Sequence, residues 1–320
     1  LRHNERVRVW LAMLLVLTTA CAAPQAQPAA PSQVRLDARM SAHGIAWSEL
    51  GAGAPVVLLN GTGSPMAEWD PAFLSALATN RRVIVFDYPG LGDSTSRGRR
   101  SFAALADATA EFMTDIGLPK ADLLGWSMGG LVVQELLRTQ PSRVRRAVLV
   151  GTNPGGSDTT LGPRWVQRAD SDPRAGVRTY LRTNYPHTRC AQRQGRAFVA
   201  RLERAVSEGR YPQATVPART YDRMVAAEDP WLRSNRNAAQ LRGIDLPVLV
   251  MVGVRDVITP PANSRALAGL LPNSTLLQVP GAGHSVLFQA PLPSAATISA
   301  FLDDVALPST AWPCAATFSQ

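Results

Sequence analysis

Of the 320 residues, 46% are apolar and 18% charged, enough apolar surface to bury a sizeable core, so a disordered or collagen-like chain is excluded. The formal charge of +9 does not mark a nucleic-acid binder, because it is concentrated: residues 156–243 hold 16 arginines against eight acids. The three cysteines, Cys21, Cys190 and Cys314, form no C-x-x-C pair and the four histidines are scattered, which removes the zinc-ribbon and zinc-finger classes.

Residues 1–20 read as a signal peptide: a basic start from Arg2 to Arg8, an apolar run from Val9 to Leu17, then Thr18, Thr19 and Ala20. The run is too short to cross a bilayer, which takes about 20 apolar residues, and no later run is longer. Leu17-Thr18-Thr19-Ala20-Cys21 resembles the lipobox of bacterial lipoproteins, with the leucine one place further from the cysteine than is usual. The expectation is an acylated Cys21 followed by a tether over residues 21–32, built of Ala, Pro and Gln. That implies a lipid-anchored protein of the cell envelope; ordinary secretion or a soluble periplasmic protein is the alternative. Export would also allow Cys190 and Cys314 to pair, against the alternative of two free thiols.

From residue 33 onward, Gln33 to Met40 and Ile45 to Leu50 alternate apolar and polar, which predicts an antiparallel pair at a sheet edge. Short runs apolar at nearly every position follow at 55–59, 82–86, 121–124, 146–150, 246–252 and 275–279, the pattern of strands buried on both faces. Helical periodicity lies between and after them at 67–79, 102–116, 128–139, 262–271 and 292–306. This alternation predicts an α/β fold with a mostly parallel sheet covered on both sides. It breaks over 156–243, which reads as an inserted helical lid between core segments 33–155 and 244–320. The arginines of the lid are open to two readings, a solvated outer face or attraction to anionic lipid or substrate.

Gly125-Trp126-Ser127-Met128-Gly129 stands between an apolar strand and an apolar helix, the setting that a G-x-S-x-G nucleophile elbow requires. A serine hydroxyl needs a general base. His284, in the Gly-rich loop after the last strand, is placed for it, whereas His3 lies in the signal, His43 in the first strand pair and His187 in the lid. Asp256, just past the 246–252 strand, is the acid placed to orient His284. Backbone N–H groups of Met128 and of Thr62, in Asn60-Gly61-Thr62-Gly63-Ser64, would form an oxyanion hole. Trp126, Met66, Leu287 and Phe288 are candidates either for an apolar acyl site or for packed core.

These strings, with Asp87-Tyr88-Pro89-Gly90-Leu91-Gly92-Asp93-Ser94 and Gly281-Ala282-Gly283-His284, resemble an α/β-hydrolase-fold serine hydrolase of the esterase and haloperoxidase-like branch over residues 34–306. The chain departs from it at Asn60-Gly61, where His-Gly is usual. The resemblance implies hydrolysis of carboxylic esters through an acyl-enzyme on Ser127, with no metal or organic cofactor. The alternatives are a C–C bond or lactone hydrolase with the same three residues, or a surface binding protein without turnover. Ser127 separates the chain from dehalogenase and epoxide hydrolase relatives, which carry aspartate at the elbow, and Gly-Trp-Ser-Met-Gly from the Gly-Gly-Ser-Trp-Gly of prolyl aminopeptidases.

Overall fold

Runs that are apolar at nearly every position have two faces to bury, and here most of them become the central strands of one sheet. The computed structural model describes residues 33–99, 101–170, 172, 174–213 and 215–315; the signal segment, Cys21 and the tether lie outside them. The strands are β1 (Arg39–Met40), β2 (Ala46–Leu50), β3 (Ala54–Leu59), β4 (Arg81–Phe86), β5 (Ala121–Trp126), β6 (Val144–Val150), β7 (Val248–Gly253) and β8 (Ser274–Val279). They order as β1-β2-β4-β3-β5-β6-β7-β8, with β1 and β2 antiparallel and every pairing from β4 to β8 parallel. This is the α/β-hydrolase fold.

Alternation along each strand sends side chains into two cores. Val57 and Leu59 of β3, Leu123 of β5 and Val250 of β7 face helices α2 (Phe102–Asp115), α3 (Met128–Thr139) and α9 (Pro261–Leu270). Val56, Leu58, Leu124 and Met251 face α1 (Pro71–Leu77), α10 (Val286–Gln289) and α11 (Pro291–Leu302). Between β6 and β7 the chain runs through α4 (Arg164–Asp170), α5 (Val177–Asn184), α6 (Arg189–Ser207), α7 (Ala218–Leu232) and α8 (Arg236–Leu241), with no strand among the described residues. The longest of these, α6, joins the second core: Phe198 stacks on Phe288 with centroids 4.7 Å apart. Its Arg201 reaches Asp70 with two hydrogen bonds of 2.8 and 2.6 Å, while Asp70 also caps α1 by accepting from Ala72 N–H at 2.9 Å.

Three elements differ from the sequence expectation. Strand pairing over Gln33–Met40 is confined to β1, because Val34 and Leu36 take their partners from the end of the insertion: Leu36 N–H donates to Arg210 O and the Arg210 guanidinium to Val34 O. The helix expected at 67–79 divides at Asp70 into a 3₁₀ turn, Met66–Glu68, and α1. The last helix ends at Leu302, beyond which Asp303 pairs with the fully buried Arg81.

Candidate active site

The β5–α3 junction turns so tightly that its residues are dictated by contact. A Cβ on Gly129 would stand 2.0 Å from Leu59 O, so the strand-to-helix turn closes only around glycine. Ser127 itself sits at φ 54° and ψ −122°, a strained conformation that side chains rarely adopt and that presents the residue at the N-terminus of α3. The turn is held by Ser127 N–H donating to Val150 O at 2.9 Å and Gly130 N–H donating to Ser127 O at 2.9 Å.

His284 is buried in the loop after β8, and its Nδ1 lies 2.8 Å from Asp256 Oδ2. Asp256 is fixed in turn by N–H groups of Ile258 and Thr259, both 2.9 Å from Oδ1, and by the Thr259 hydroxyl, which donates to Oδ2 at 2.8 Å. Burial pulls His284 toward the neutral form, but the charge of Asp256 and its hydrogen bond outweigh it and lift the imidazole above its ordinary value. With Nδ1 engaged, Nε2 is the free nitrogen. Gly151, at φ 53° after β6, lies under the pair: a Cβ there would meet Asp256 Oδ2 and His284 Nδ1, each at 3.3 Å. Sequence reasoning missed both Thr259 and Gly151. Thr259 had a signal, standing three residues after the acid where a hydroxyl can fold back on it, whereas Gly151 had none.

The loop Asn60-Gly61-Thr62-Gly63-Ser64 packs against the elbow: a Cβ on Gly61 would touch the Trp126 ring at 3.2 Å and Ser127 Cβ at 3.5 Å. Asn60, at the position of the family's usual histidine, holds the loop itself, donating from Nδ2 to Pro65 O at 2.9 Å and accepting Gly61 N–H at 3.0 Å. The Thr62 N–H has no acceptor among the described residues, and Met128 N–H is one of the unbonded donors of the first turn of α3. Thr62 Oγ1 donates to Glu228 Oε1 of α7 at 2.6 Å, a bond across 166 residues that nothing local in the sequence announces.

Ser127 stands where two lobes of a cleft meet. One lobe, of about 260 Å³, is lined by Thr62, Met128, Leu131, Val166 and Leu232; the other, of about 310 Å³, by Gly61, Trp126, Tyr180, Tyr221 and His284. Of the apolar candidates, Trp126 reaches the cleft, its Nε1 donating to His284 O at 3.1 Å, while Met66, Leu287 and Phe288 are packed core. Although the chain is basic, no arginine or lysine among the described residues lines either lobe; Glu68, Asp170, Asp172, Glu228 and Asp229 do. Desolvation pushes Glu228 up to about 7 against the Thr62 hydrogen bond that lowers it, and pushes Glu68 up to about 7 against one from Ser64. Desolvation also raises Asp170, which feels the charges of His284 and Asp256.

His43 and His187 stay apart from this cleft, His43 against Asp115 and His187 against Arg182 O. Cys190, in α6, is joined by a disulfide to Cys314 in the C-terminal segment. Among the described residues, no group of three or more His, Cys, Asp or Glu could hold a metal ion, and no helix is long and apolar enough to cross a membrane.

Sheet order, elbow and cleft define a hydrolase of the α/β-hydrolase fold, and the chain belongs to that family, whose model matches residues 54–291. The pimeloyl-[acyl-carrier protein] methyl ester esterase of Chromobacterium violaceum is 30% identical over 259 residues, covering 74% of this chain and 89% of the relative. BpoC of Mycobacterium tuberculosis, which carries a non-heme bromoperoxidase name, is 28% identical over 257 residues, covering 77% and 93%. Among solved structures, an α/β-hydrolase-fold protein from Chitinophaga pinensis superposes with a TM-score of 0.73 at 24% identity, covering 85% of this chain and 98% of that one.

Proposed function

We propose that the protein is a serine hydrolase of carboxylic esters, carried by one observation: an imidazole locked to a carboxylate and a serine held in a strained elbow line the same cleft. In this reading Ser127 Oγ attacks the acyl carbon while His284 Nε2 takes its proton. Met128 and Thr62 N–H groups receive the charge that develops on the carbonyl oxygen. The alcohol departs with the proton from His284, leaving an acyl-serine, and water attacks this ester by the same route to release the acid. Asp256 keeps the tautomer that leaves Nε2 free and stabilises the imidazolium.

Relatives named as methyl ester esterases support the ester reading over the other bonds that this arrangement can cleave. The N-terminal sequence supports export, with Cys21 acylated and residues 21–32 as a tether to the membrane.

The test is turnover of chromogenic esters of graded acyl length by the chain from residue 22 on, beside Ser127→Ala, with labelling by a fluorophosphonate probe. Turnover and labelling that Ser127→Ala abolishes while its fold is intact are expected. A Ser127 inert to the probe and no turnover of any ester would overturn the assignment.

A further inference from the structure

The arginines left open by the sequence turn out to be sorted by the insertion. Arg201 of α6 points inward to Asp70. Arg189, Arg193 and Arg196, at successive outward turns of the same helix, are exposed. Ala191, Gly195 and Phe198 form its buried side. On α5 the outward positions are Arg178 and Arg182, preceded by Arg174, and on α4 they are Arg164 and Arg168, all exposed.

The three helices are joined edge to edge. The Arg182 guanidinium lies 4.6 Å over the Trp165 ring of α4, and a Cβ on Gly195 of α6 would meet Leu181 of α5 at 2.6 Å. Their outer sides therefore form a continuous basic face. Among the described residues, Arg164, Arg174, Arg178, Arg189, Arg193 and Arg196 have no carboxylate within ion-pair distance. Asp170, which ends α4, and Asp172 line the cleft instead, and the one acid of α6, Glu203, is exposed seven residues beyond Arg196, so the outer face carries a large excess of positive charge.

Two further observations decide what such a face meets. An apolar side chain stands free within it, Val177 at 51% exposure beside Arg178, and Leu161, which lines the cleft just before α4, is 55% exposed. The chain also enters the fold along this insertion, since Arg35 and Leu36 bond to Gly209 and Arg210 at the end of α6. A soluble polyanion would use the arginines alone, whereas a bilayer uses arginine for the headgroups and exposed apolar tips for the acyl boundary.

We propose that the outer face of α4, α5 and α6 docks on an anionic lipid surface and holds the protein against the bilayer independently of any acyl chain on Cys21. The ester reading is not needed for this, and an unchanged Tm serves as the control for folding.

The test is sedimentation of the chain from residue 22 on, which contains every described element of the fold, with vesicles of phosphatidylcholine alone or with about one-third phosphatidylglycerol. Binding to the anionic vesicles only is expected, and it should be lost in 1 M salt, where the screening length is about 3 Å. Arg178→Glu/Arg189→Glu/Arg193→Glu should weaken partitioning by on the order of 100-fold or more, and Val177→Asp by a smaller factor, with Tm kept. Equal binding to both vesicles, no binding to either, or a triple variant that binds as the parent does would each overturn the proposal. Retention on heparin or DNA without vesicle binding would overturn it in favour of a polyanion partner.

Discussion

At the scale of single residues, the titration of His284 and Glu228 makes the reading of the cleft measurable. As the proposed base His284 must be neutral, and although burial lowers its value, Asp256 lifts it above the 6.5 of an ordinary imidazole. The acid limb of a kcat/KM profile on a neutral ester is therefore expected above pH 6.5, and Asp256→Asn should lower kcat by about 10³–10⁴-fold by favouring the wrong tautomer. A limb at or below 6.5 would contradict the assignment. Glu228 moves the other way in stability. Its carboxyl is raised from 4.5 to about 7, so across that window the folded chain holds a proton that the unfolded chain has released. Stability then falls as pH rises from 4.5 through 7, and above 7 the buried charge persists. Glu228→Gln keeps an acceptor for Thr62 Oγ1 and removes the charge. It should raise Tm at pH 8 by a few degrees while leaving Tm at pH 5 unchanged, which thermal unfolding at the two pH values would check; equal effects at both would remove the titration argument.

At the scale of elements, the parallel sheet was legible because a strand buried on both faces has little polar option, and β3 to β7 therefore write themselves as largely apolar runs, whereas the edge strand β8, part-exposed, does so only in part. The elbow was legible for a related reason: Gly129 cannot be anything larger where Leu59 O lies 2.0 Å from its missing Cβ. Helix α6 was only partly legible. Its apolar stripe shows in the sequence, but its anchors are distant, Asp70 at 131 positions and Cys314 at 124. Those anchors are also where it can be broken. Asp70 is fully buried, so Arg201→Ala would leave its carboxylate unpaired and is expected to cost about 3 kcal/mol, read by denaturant unfolding. The Cys190–Cys314 bond closes a loop that the chain-entropy model values at about 4–5 kcal/mol. The carbonyl of Cys314 also packs against Gly281, in the loop that carries His284. Reduction, or Cys190→Ser with Cys314→Ser, should lower Tm by roughly 6–8 °C and weaken ester turnover at temperatures where the fold survives. Unchanged Tm on full reduction would show that the bond adds nothing beyond the packing of Phe198 on Phe288.

At the scale of the whole molecule, the net charge of +9 misdescribes what a substrate meets. Many of the described arginines lie on the outside of the insertion or in pairs such as Arg201–Asp70, while the walls around Ser127 carry Glu68, Asp170, Asp172, Glu228 and Asp229 and, among the described residues, no arginine or lysine. Field lines inside a cleft with low-dielectric walls follow the nearby charges, not the distant total. An ester bearing a carboxylate close to the acyl carbon therefore enters against like charge even though the protein as a whole attracts it. Its kcat/KM at pH 8 should be at least roughly ten-fold below that of an isosteric neutral ester, as Coulomb repulsion at an effective dielectric near 20 gives for charges several ångströms apart. Since Glu228 takes up a proton near pH 7, the gap should narrow at pH 6, where the wall has lost part of its charge. The ratio of the two substrates cancels the protonation of His284, which affects both alike, so the change in ratio reports the wall alone. A ratio that stays constant from pH 6 to pH 8 would mean that the acyl substituent does not face these carboxylates, and would place it instead against the apolar Leu131 and Val166 side of the first lobe.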